Sequence, residues 1–166
     1  METAQQILHK DVAEGNTPAV SYIFFNNQSV LYEHYEGHAD VRNNVQLTPE
    51  QTFNGFSVTK TFTALAVLQL EEKGLLHLQD PVKKYLPGFP YDADITIQQL
   101  LNHTAGLPNP IPLKWIHLAE EHDTFNRDAY FEPIFRKNNK LKSVSGEEFN
   151  YSNLGYIILG KVIEKV

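Results

Sequence analysis

The strand-forming residues of this chain are concentrated in its first third, and this distribution limits the folds that it can adopt. Two runs, AVSYIFF and VLYEHYEG, are rich in β-branched and aromatic residues, and the polar NNQS between them has the composition of a turn. We therefore predict an antiparallel hairpin with strands at 19–25 and 29–36.

Helical signals dominate the rest of the chain. The apolar run TFTALAVLQL predicts a main helix from about Ser57 to Lys73, ended by Gly74. Its apolar residues lie on several faces, so we expect other elements to cover it on most sides. The chain opens with a short amphipathic stretch, TAQQILHKDVAEG. Shorter helical segments are predicted for one turn at 48–51, after Asp80-Pro81, and at 96–103, 113–122 and 153–166.

This order of elements predicts an α+β fold that is incomplete. Two strands alone do not form a stable sheet, and they leave two open edges. We therefore expect residues 1–166 to be a single partial domain, the N-terminal portion of a larger one whose remaining strands lie outside the chain. The open edges also suggest self-association.

Composition excludes several classes of protein. The chain has no cysteine, so it has neither a disulfide framework nor a thiolate metal site. Its net charge of -6 argues against a nucleic-acid-binding surface. Neither a signal peptide nor a membrane-spanning segment is visible, which would place the protein, as written, in the cytoplasm; the native compartment stays open.

Ser57 and Lys60 form a Ser-x-x-Lys motif at the start of the main helix. Residues three apart share a helix face, so the hydroxyl and the amine are expected within hydrogen-bonding reach. A serine hydroxyl becomes a good nucleophile when a neighbouring base takes its proton, and a helix N-terminus offers N–H donors to a developing oxyanion. This arrangement suits acyl transfer.

A structural interpretation of the motif also has to be weighed. With 6 Ser and 11 Lys in 166 residues, chance alone gives roughly 0.4 such matches. Ser57 could simply be the N-cap of the helix, a role that serine often fills. Taken alone, the motif favours that structural role.

A second pair of polar residues lies at the start of the last helix. Tyr151 and Asn153 could converge on Ser57 and Lys60, because a tyrosine beside a cationic lysine can act as a proton relay and a carboxamide can hold both a lysine and a substrate carbonyl. The alternative is that Tyr151 packs in the core and Asn153 caps the helix.

Three ordered blocks carry a resemblance to a known family. They read SVTKTFTALAVLQLEEKGLLHLQDPVKKYLPGF, ITIQQLLNHTAGLP and FNYSNLGYIILGKVIEKV. Together they resemble the serine β-lactamase and penicillin-binding proteins, in the class C-like branch with D-aminopeptidases and esterases of the same fold. The resemblance covers nearly the whole chain and is weakest over residues 108–145. It implies an incomplete part of the β-lactamase/transpeptidase-like fold.

The resemblance also implies roles for individual residues. Ser57 would be the acylated nucleophile and Lys60 its proton partner. Tyr151 would be the general base that later protonates the leaving group, and Asn153 would bind Lys60 and the substrate amide. The stretch from His103 to Gly106 resembles a structural turn of the family and not its third catalytic motif.

The implied function is a serine hydrolase that forms an acyl-enzyme on Ser57. Its substrate would be a small molecule or peptide with an amide or ester bond: a β-lactam, a D-Ala peptide, or a D-amino-acid amide or ester. No cofactor is implied.

Two departures from the family pattern bear on that function. Phe56 stands where the family commonly has a small residue, and the Lys/His-Thr/Ser-Gly strand of the pocket is absent from residues 1–166. We therefore expect these residues alone to be inactive. The alternative function is a non-catalytic module that binds a peptide or a protein partner.

A metal site is not predicted from the seven histidines. His34 and His38 flank a strand end with Gly37, and His117 and His122 are five residues apart, which differs from the i, i+4 spacing of a helical zinc pair. Four aromatic residues are expected to pack beneath the 108–150 segment rather than to hold a ligand; these are Trp115, Tyr130, Phe131 and Phe135.

Overall fold

A computed structural model describes residues 3–91, 94–110 and 117–166. The chain divides into two compact units, Met1–Gly55 and Phe56–Val166. The first unit holds a small antiparallel sheet and one helix, and the second is helical.

The first unit contains the predicted hairpin. Helix α1 (Ala4–Ala13) precedes strands β1 (Ala19–Phe25) and β2 (Val30–Asp40), which pair antiparallel with Ala19 opposite Gly37 and Phe24 opposite Tyr32. The turn between them forms because the side-chain oxygen of Asn26 accepts hydrogen bonds from the backbone of Gln28 and Ser29. The composition of NNQS thus predicted the turn correctly.

The sheet has one strand more than predicted. Strand β3 (Val45–Gln46) pairs with the end of β2, giving the order β1-β2-β3. Asp40 accepts hydrogen bonds from the backbone nitrogens of Arg42 and Asn43, which folds the chain back onto β2. A two-residue strand carries too little periodicity to be read from sequence.

The helical turn predicted at 48–51 was wrong. The side chain of Thr48 bonds with that of Gln51, and the backbone nitrogen of Gln51 donates to the Thr48 carbonyl, as expected of a cap. No helical residues follow, so the capping chemistry closes only a turn.

The second unit is built around helices α2 (Thr59–Glu72), α3 (Ile97–Leu101), α4 (Arg127–Lys137) and α5 (Asn153–Lys165). Gly74, with a φ of +68°, follows the end of α2, as predicted. Thr96 and Gln99 form a reciprocal capping box at the start of α3, also as predicted. The helix predicted after Asp80-Pro81 is a single 3-10 turn, Val82–Lys84.

An apolar core lies inside this unit, where α5 packs against α2 and α3. Its buried side chains come from the helices, from the segment between α2 and α3, and from the residues just after α3: Val67, Leu76, Val82, Phe89, Tyr91, Ile95, Ile97, Leu100, Ala105, Leu107, Ile158, Leu159 and Val162.

Helix α2 is less covered than its sequence predicted. Val67 is its only buried residue among those described, whereas Phe62, Leu65 and Leu68 are 69%, 54% and 48% exposed. In the described part of the second unit, the long helix that packs along α2 is α5. Contact with one helix covers only one face of α2. The expectation of cover on most sides was therefore wrong for the described residues.

The segment between α3 and α5 contains a helix that was not predicted. Asn126 caps α4 through its side chain, and Pro133 lies inside the helix, which is why the pattern was hard to recognise. The helix predicted at 113–122 falls partly outside the described residues; in the described part, a 3-10 helix spans Ala119–Thr124. Tyr130, Phe131 and Phe135 pack as a chain of rings, and Trp115 lies outside the described residues.

Candidate active site

Ser57 lies in a 3-10 turn, Phe56–Val58, that leads directly into α2. The N-cap of α2 is Val58, and no side chain caps this helix. Ser57 therefore does not serve as a helix cap, and its hydroxyl is available for other contacts. Lys60 follows in the first turn of α2, and its Nζ donates to Ser57 Oγ at 3.2 Å.

The residue before Ser57 has an unusual backbone conformation. Phe56 has a φ of +41°, in the left-handed region that side chains other than glycine seldom occupy, and it is 72% exposed. Such a conformation costs about 1–3 kcal/mol, and it is found most often at functional sites. Here it turns the chain sharply so that Ser57 stands at the entrance to α2.

Tyr151 and Asn153 are placed by the start of α5. Ser152 is the N-cap, accepting a hydrogen bond from Gly155 N at 3.3 Å, so Asn153 is not the cap. The Ser152 hydroxyl also donates to the Pro108 carbonyl at 2.8 Å, and Ser152 is only 3% exposed. Tyr151 is 37% exposed and does not belong to the apolar core.

The structure brings all four predicted site residues together. Ser57 Oγ lies 2.7 Å from the Tyr151 hydroxyl, and Lys60 Nζ donates to Asn153 Oδ1 at 2.7 Å. With the bond from Lys60 to Ser57, these contacts link the N-terminal ends of α2 and α5 across more than 90 residues of sequence. Lys60 Nζ also lies 4.9 Å from the centroid of the Tyr151 ring.

The electrostatics of the site act most clearly on Tyr151. Partial burial raises the pKa of this phenol, but its polar contacts with Lys60 and Ser57 and the charge of Lys60 outweigh burial and lower the pKa overall. A lowered pKa makes the phenolate easier to form, and a phenolate in hydrogen-bonding contact with a serine hydroxyl can accept the proton of that hydroxyl.

The segment His103–Asn109 holds the residues on both sides of Tyr151, just before α5. His103 accepts hydrogen bonds from Asn150 N at its carbonyl, at 2.7 Å, and from Ser152 N at Nδ1, at 3.1 Å. At the other end of the segment, the Asn109 side chain accepts two hydrogen bonds from Asn153. None of these contacts was predicted from the sequence; the stretch HTAGLPN was marked only by its place between two helices and by the resemblance of His103 to Gly106 to a structural turn of the family.

Close packing fixes that segment in place. Gly106 has a φ of +70°, and a Cβ atom at this position would stand 2.3 Å from the carbonyl oxygen of Ser143. The Gly106 carbonyl accepts a hydrogen bond from Lys142 N at 2.8 Å. Glycine is therefore required here for both conformation and space.

The structure offers little for a metal ion. Over residues 3–91, 94–110 and 117–166, no group of three or more histidine, aspartate or glutamate side chains could hold one. His34 bonds to Glu36 at 3.0 Å, His38 to Asn44 at 2.9 Å, and His117 to His122 at 3.1 Å. These histidines have partners within the protein. In the described part of the chain, no helix is long and apolar enough to cross a membrane.

Comparison with known proteins identifies the family. A family model described as Beta-lactamase matches residues 4–166. The chain belongs to the β-lactamase family. Within this family it is similar to penicillin-binding protein 4* of Bacillus subtilis (strain 168), with 36% identity over 147 residues that cover 82% of this chain and 30% of the relative.

Solved structures of the β-lactamase family share the fold. The octameric penicillin-binding protein homologue from Pyrococcus abyssi superimposes with a TM-score of 0.77 and 29% identity, covering 97% of this chain and 38% of that protein. The D-amino acid amidase from Ochrobactrum anthropi SV3, solved with L-phenylalanine, gives a TM-score of 0.77 and 27% identity, covering 96% and 43%. The chain thus spans about a third of the length of the curated relatives that it matches.

Proposed function

We propose that Ser57 is the nucleophile of a serine hydrolase that cleaves an amide or ester bond through an acyl-enzyme. One observation carries the proposal: the Ser57 hydroxyl lies 2.7 Å from a phenol whose pKa is lowered and 3.2 Å from the Lys60 ammonium. A serine that was only structural would not need a base and a cation on its side chain.

In the first step, Ser57 Oγ attacks the substrate carbonyl carbon while its proton passes to the Tyr151 oxygen. Lys60 donates a hydrogen bond to Oγ and places a positive charge beside the tyrosine, which favours the phenolate before attack. The N-terminal end of α2 is directed at the site, so its N–H groups can bind the oxyanion that forms.

In the second step, the bond from the carbonyl carbon to the leaving nitrogen or oxygen breaks, and Tyr151 returns the proton to the leaving group. A water molecule then gives its proton to Tyr151 and attacks the ester carbon, releasing the acid and the Ser57 hydroxyl. Each proton that Tyr151 accepts is given back, so the enzyme ends as it began.

Asn153 is proposed to bind substrate as well as Lys60. Its Oδ1 accepts from Lys60 at 2.7 Å, and its Nδ2 donates to Asn109 at 2.9 Å. An amide nitrogen carries two hydrogens, so one is left for a substrate carbonyl. Asn153 would then hold the amide of the substrate beside the attacking oxygen.

The proposed substrates are D-Ala peptides, D-amino-acid amides or esters, and β-lactams. Relatives named penicillin-binding protein and D-amino acid amidase support this range. Because the chain spans about a third of its curated relatives, we propose that residues outside 1–166 complete the pocket, and that residues 1–166 alone are inactive.

The test is acylation of the full-length protein by a fluorescent penicillin and by an activated ester, with the adduct located by mass spectrometry. We expect one acyl group on Ser57, none in Ser57→Ala, and normal labelling in the matched variant Ser29→Ala, whose serine lies in the exposed turn between β1 and β2. Labelling that persists in Ser57→Ala would overturn the proposal.

The alternative, a non-catalytic module, has one specific observation in its favour. The 72% exposed ring of Phe56 stands next to Ser57 and offers an apolar contact for a bound peptide. Saturable binding of a D-Ala peptide by full-length protein that no probe acylates, weakened by Phe56→Ala, would support the module over the hydrolase.

Self-association through the sheet is also proposed. Strands β1 and β3 lie at the two edges of the sheet, and the neighbouring side chains Phe24 and Phe25 are 55% and 68% exposed. Light scattering of residues 1–166 should show an oligomer that Phe24→Lys dissociates, and a monomer at all concentrations would contradict this.

A further inference from the structure

His103 lies at the centre of a cluster of aromatic rings beside the proposed nucleophile. Its ring centroid is 4.5 Å from that of Tyr151, 5.0 Å from Tyr156 and 5.7 Å from Phe149. The backbone of His103 is itself in the left-handed region, with a φ of +59°. This conformation turns the chain after α3 so that the imidazole lies against the face of Tyr151.

The hydrogen bonds of His103 hold both neighbours of Tyr151. Asn150 N donates to the His103 carbonyl at 2.7 Å, and Ser152 N donates to its Nδ1 at 3.1 Å. A backbone N–H can only donate, so Nδ1 must be without a proton. The geometry therefore requires a neutral imidazole with its proton on Nε2.

The charges that face this ring also disfavour a cation there. The ionisable groups on the packed elements are Lys60 on α2, Tyr151 just before α5, and Tyr156 on α5. Lys60 Nζ lies 4.9 Å from the Tyr151 ring and 5.7 Å from the Tyr156 ring. Burial and then the charge of Lys60 lower the pKa of His103.

We propose that His103 is a positioning residue that must be neutral for Ser57 to be acylated, so that its protonation switches the site off in acid. This inference rests on the proposed function of Ser57. Protonation places a hydrogen on Nδ1, which removes the acceptor for Ser152 N. One of the two hydrogen bonds by which His103 holds the neighbours of Tyr151 is then lost. Protonation also adds a second positive charge beside Lys60. Release of Ser152 N lets the Tyr151 hydroxyl move away from Ser57, whereas repulsion from Lys60 opposes the protonated ring itself.

The decisive variant is His103→Asn. The Oδ1 of an asparagine can accept the bond from Ser152 N, asparagine tolerates a left-handed backbone, and it does not titrate. His103→Ala, by contrast, removes the acceptor and the ring.

The first experiment measures the rate constant for acylation of the full-length protein by an activated ester, from pH 4.5 to 9. In the parent, both His103 and the base of the site must lose a proton, so the logarithm of the rate should fall in acid with a limiting slope of about 2. In His103→Asn the slope should be about 1, with a rate near pH 8 within about threefold of the parent. In His103→Ala the rate should fall at least ~10-fold at every pH, since a hydrogen bond and its packing are lost. An unchanged slope in His103→Asn overturns the inference.

The second experiment does not depend on activity. Histidine NMR of the full-length Ser57→Ala variant, with His103 assigned by the signal missing from His103→Asn, should show an Nε2-protonated ring with a pKa below the usual 6.5 or so. Lys60→Met should raise that pKa. A ring protonated on Nδ1, or a pKa at or above the usual value, overturns the inference even when the enzyme is active. If no probe acylates Ser57 at any pH, both the proposed function and the pH switch are wrong. The tautomer measured by NMR then still shows whether a neutral His103 accepts the hydrogen bond from Ser152 N.

Discussion

The side-chain oxygen of Asn109 accepts two hydrogen bonds from Asn153, one from the backbone nitrogen at 3.1 Å and one from Nδ2 at 2.9 Å. The backbone nitrogen of Asn153 and the ammonium of Lys60 can only donate, so the orientations of both carboxamides are fixed. Asn109 therefore directs Asn153 Oδ1 at Lys60, at 2.7 Å. Asn109 therefore acts on Ser57, the proposed nucleophile, through Asn153 and Lys60.

Replacing Asn109 by alanine should slow acylation of Ser57 by about 3- to 10-fold, because two hydrogen bonds that orient Asn153 are lost. Asn109→Asp keeps an oxygen acceptor for both donors and should stay within about threefold of the parent. The rate constant with an activated ester is the measurement. An equal loss of acylation rate in the two variants would show that the acceptor oxygen at position 109 does not determine that rate.

Tyr151→Phe should lower the acylation rate by ~10²- to 10⁴-fold, because the base within hydrogen-bonding distance of Ser57 is lost. The ring contacts with His103 are retained, so circular dichroism and Tm should change little. The matched control is Tyr22→Phe, which removes the hydroxyl of a tyrosine in β1. Full activity in Tyr151→Phe would remove the phenol from the mechanism.

The pKa of Tyr151 predicts the direction in which the acylation rate changes with pH. Its pKa is lowered, since the contacts with Lys60 and Ser57 outweigh burial, so the phenolate forms at a lower pH than in an ordinary tyrosine. Acylation should therefore rise with pH through this pKa and level off above it. Tyrosine NMR should show the pKa of Tyr151 moving up in Lys60→Met, and a shift downward would refute this electrostatic account.

Asp80 should make the stability of the protein sensitive to acid. Hydrogen bonds from Lys84 at 2.8 Å and from Tyr85, with a further one from the backbone nitrogen of His77 at 2.9 Å, hold the pKa of this carboxyl well below its usual range. The stabilisation is present above the usual pKa of about 4 and is lost as the pH falls through the lowered value.

Asp80→Asn should accordingly lower Tm at pH 7, with the gap to the parent narrowing below about pH 4. Asp123→Asn, which changes an exposed aspartate, is the control and should leave Tm almost unchanged at both pH values. A gap that widens in acid would reverse the predicted sign.

Gly106→Ala should destabilise the protein by at least about 2 kcal/mol, since alanine would be forced into a left-handed conformation with its Cβ against the Ser143 carbonyl. At Gly88 an added Cβ would meet nothing within 4 Å, so Gly88→Ala should change the free energy of unfolding by less than about 0.5 kcal/mol. Denaturant unfolding of the two variants compares them directly. Similar values would mean that the segment at Gly106 can shift without cost.

The sequence alone determined the features that depend on neighbouring residues. Lys60 meets Ser57 because a helical turn brings residues three apart onto one face. The Asn26 turn and the Thr96 capping box form from side chains within three residues of the backbone groups that they bind. Such contacts need no partner from elsewhere in the chain, so their residue types are enough to predict them.

Only the tertiary structure decided the rest. The Tyr151 hydroxyl reaches Ser57 because α5 packs against α2. No sequence pattern near either residue predicts that contact. The family resemblance led us to expect it, and the packing of the two helices sets its distance. The contacts of His103 and Asn109 with the residues around Tyr151 arise in the same way. Their geometry is set by the burial of apolar side chains far apart in sequence, which fixes where two helix ends meet.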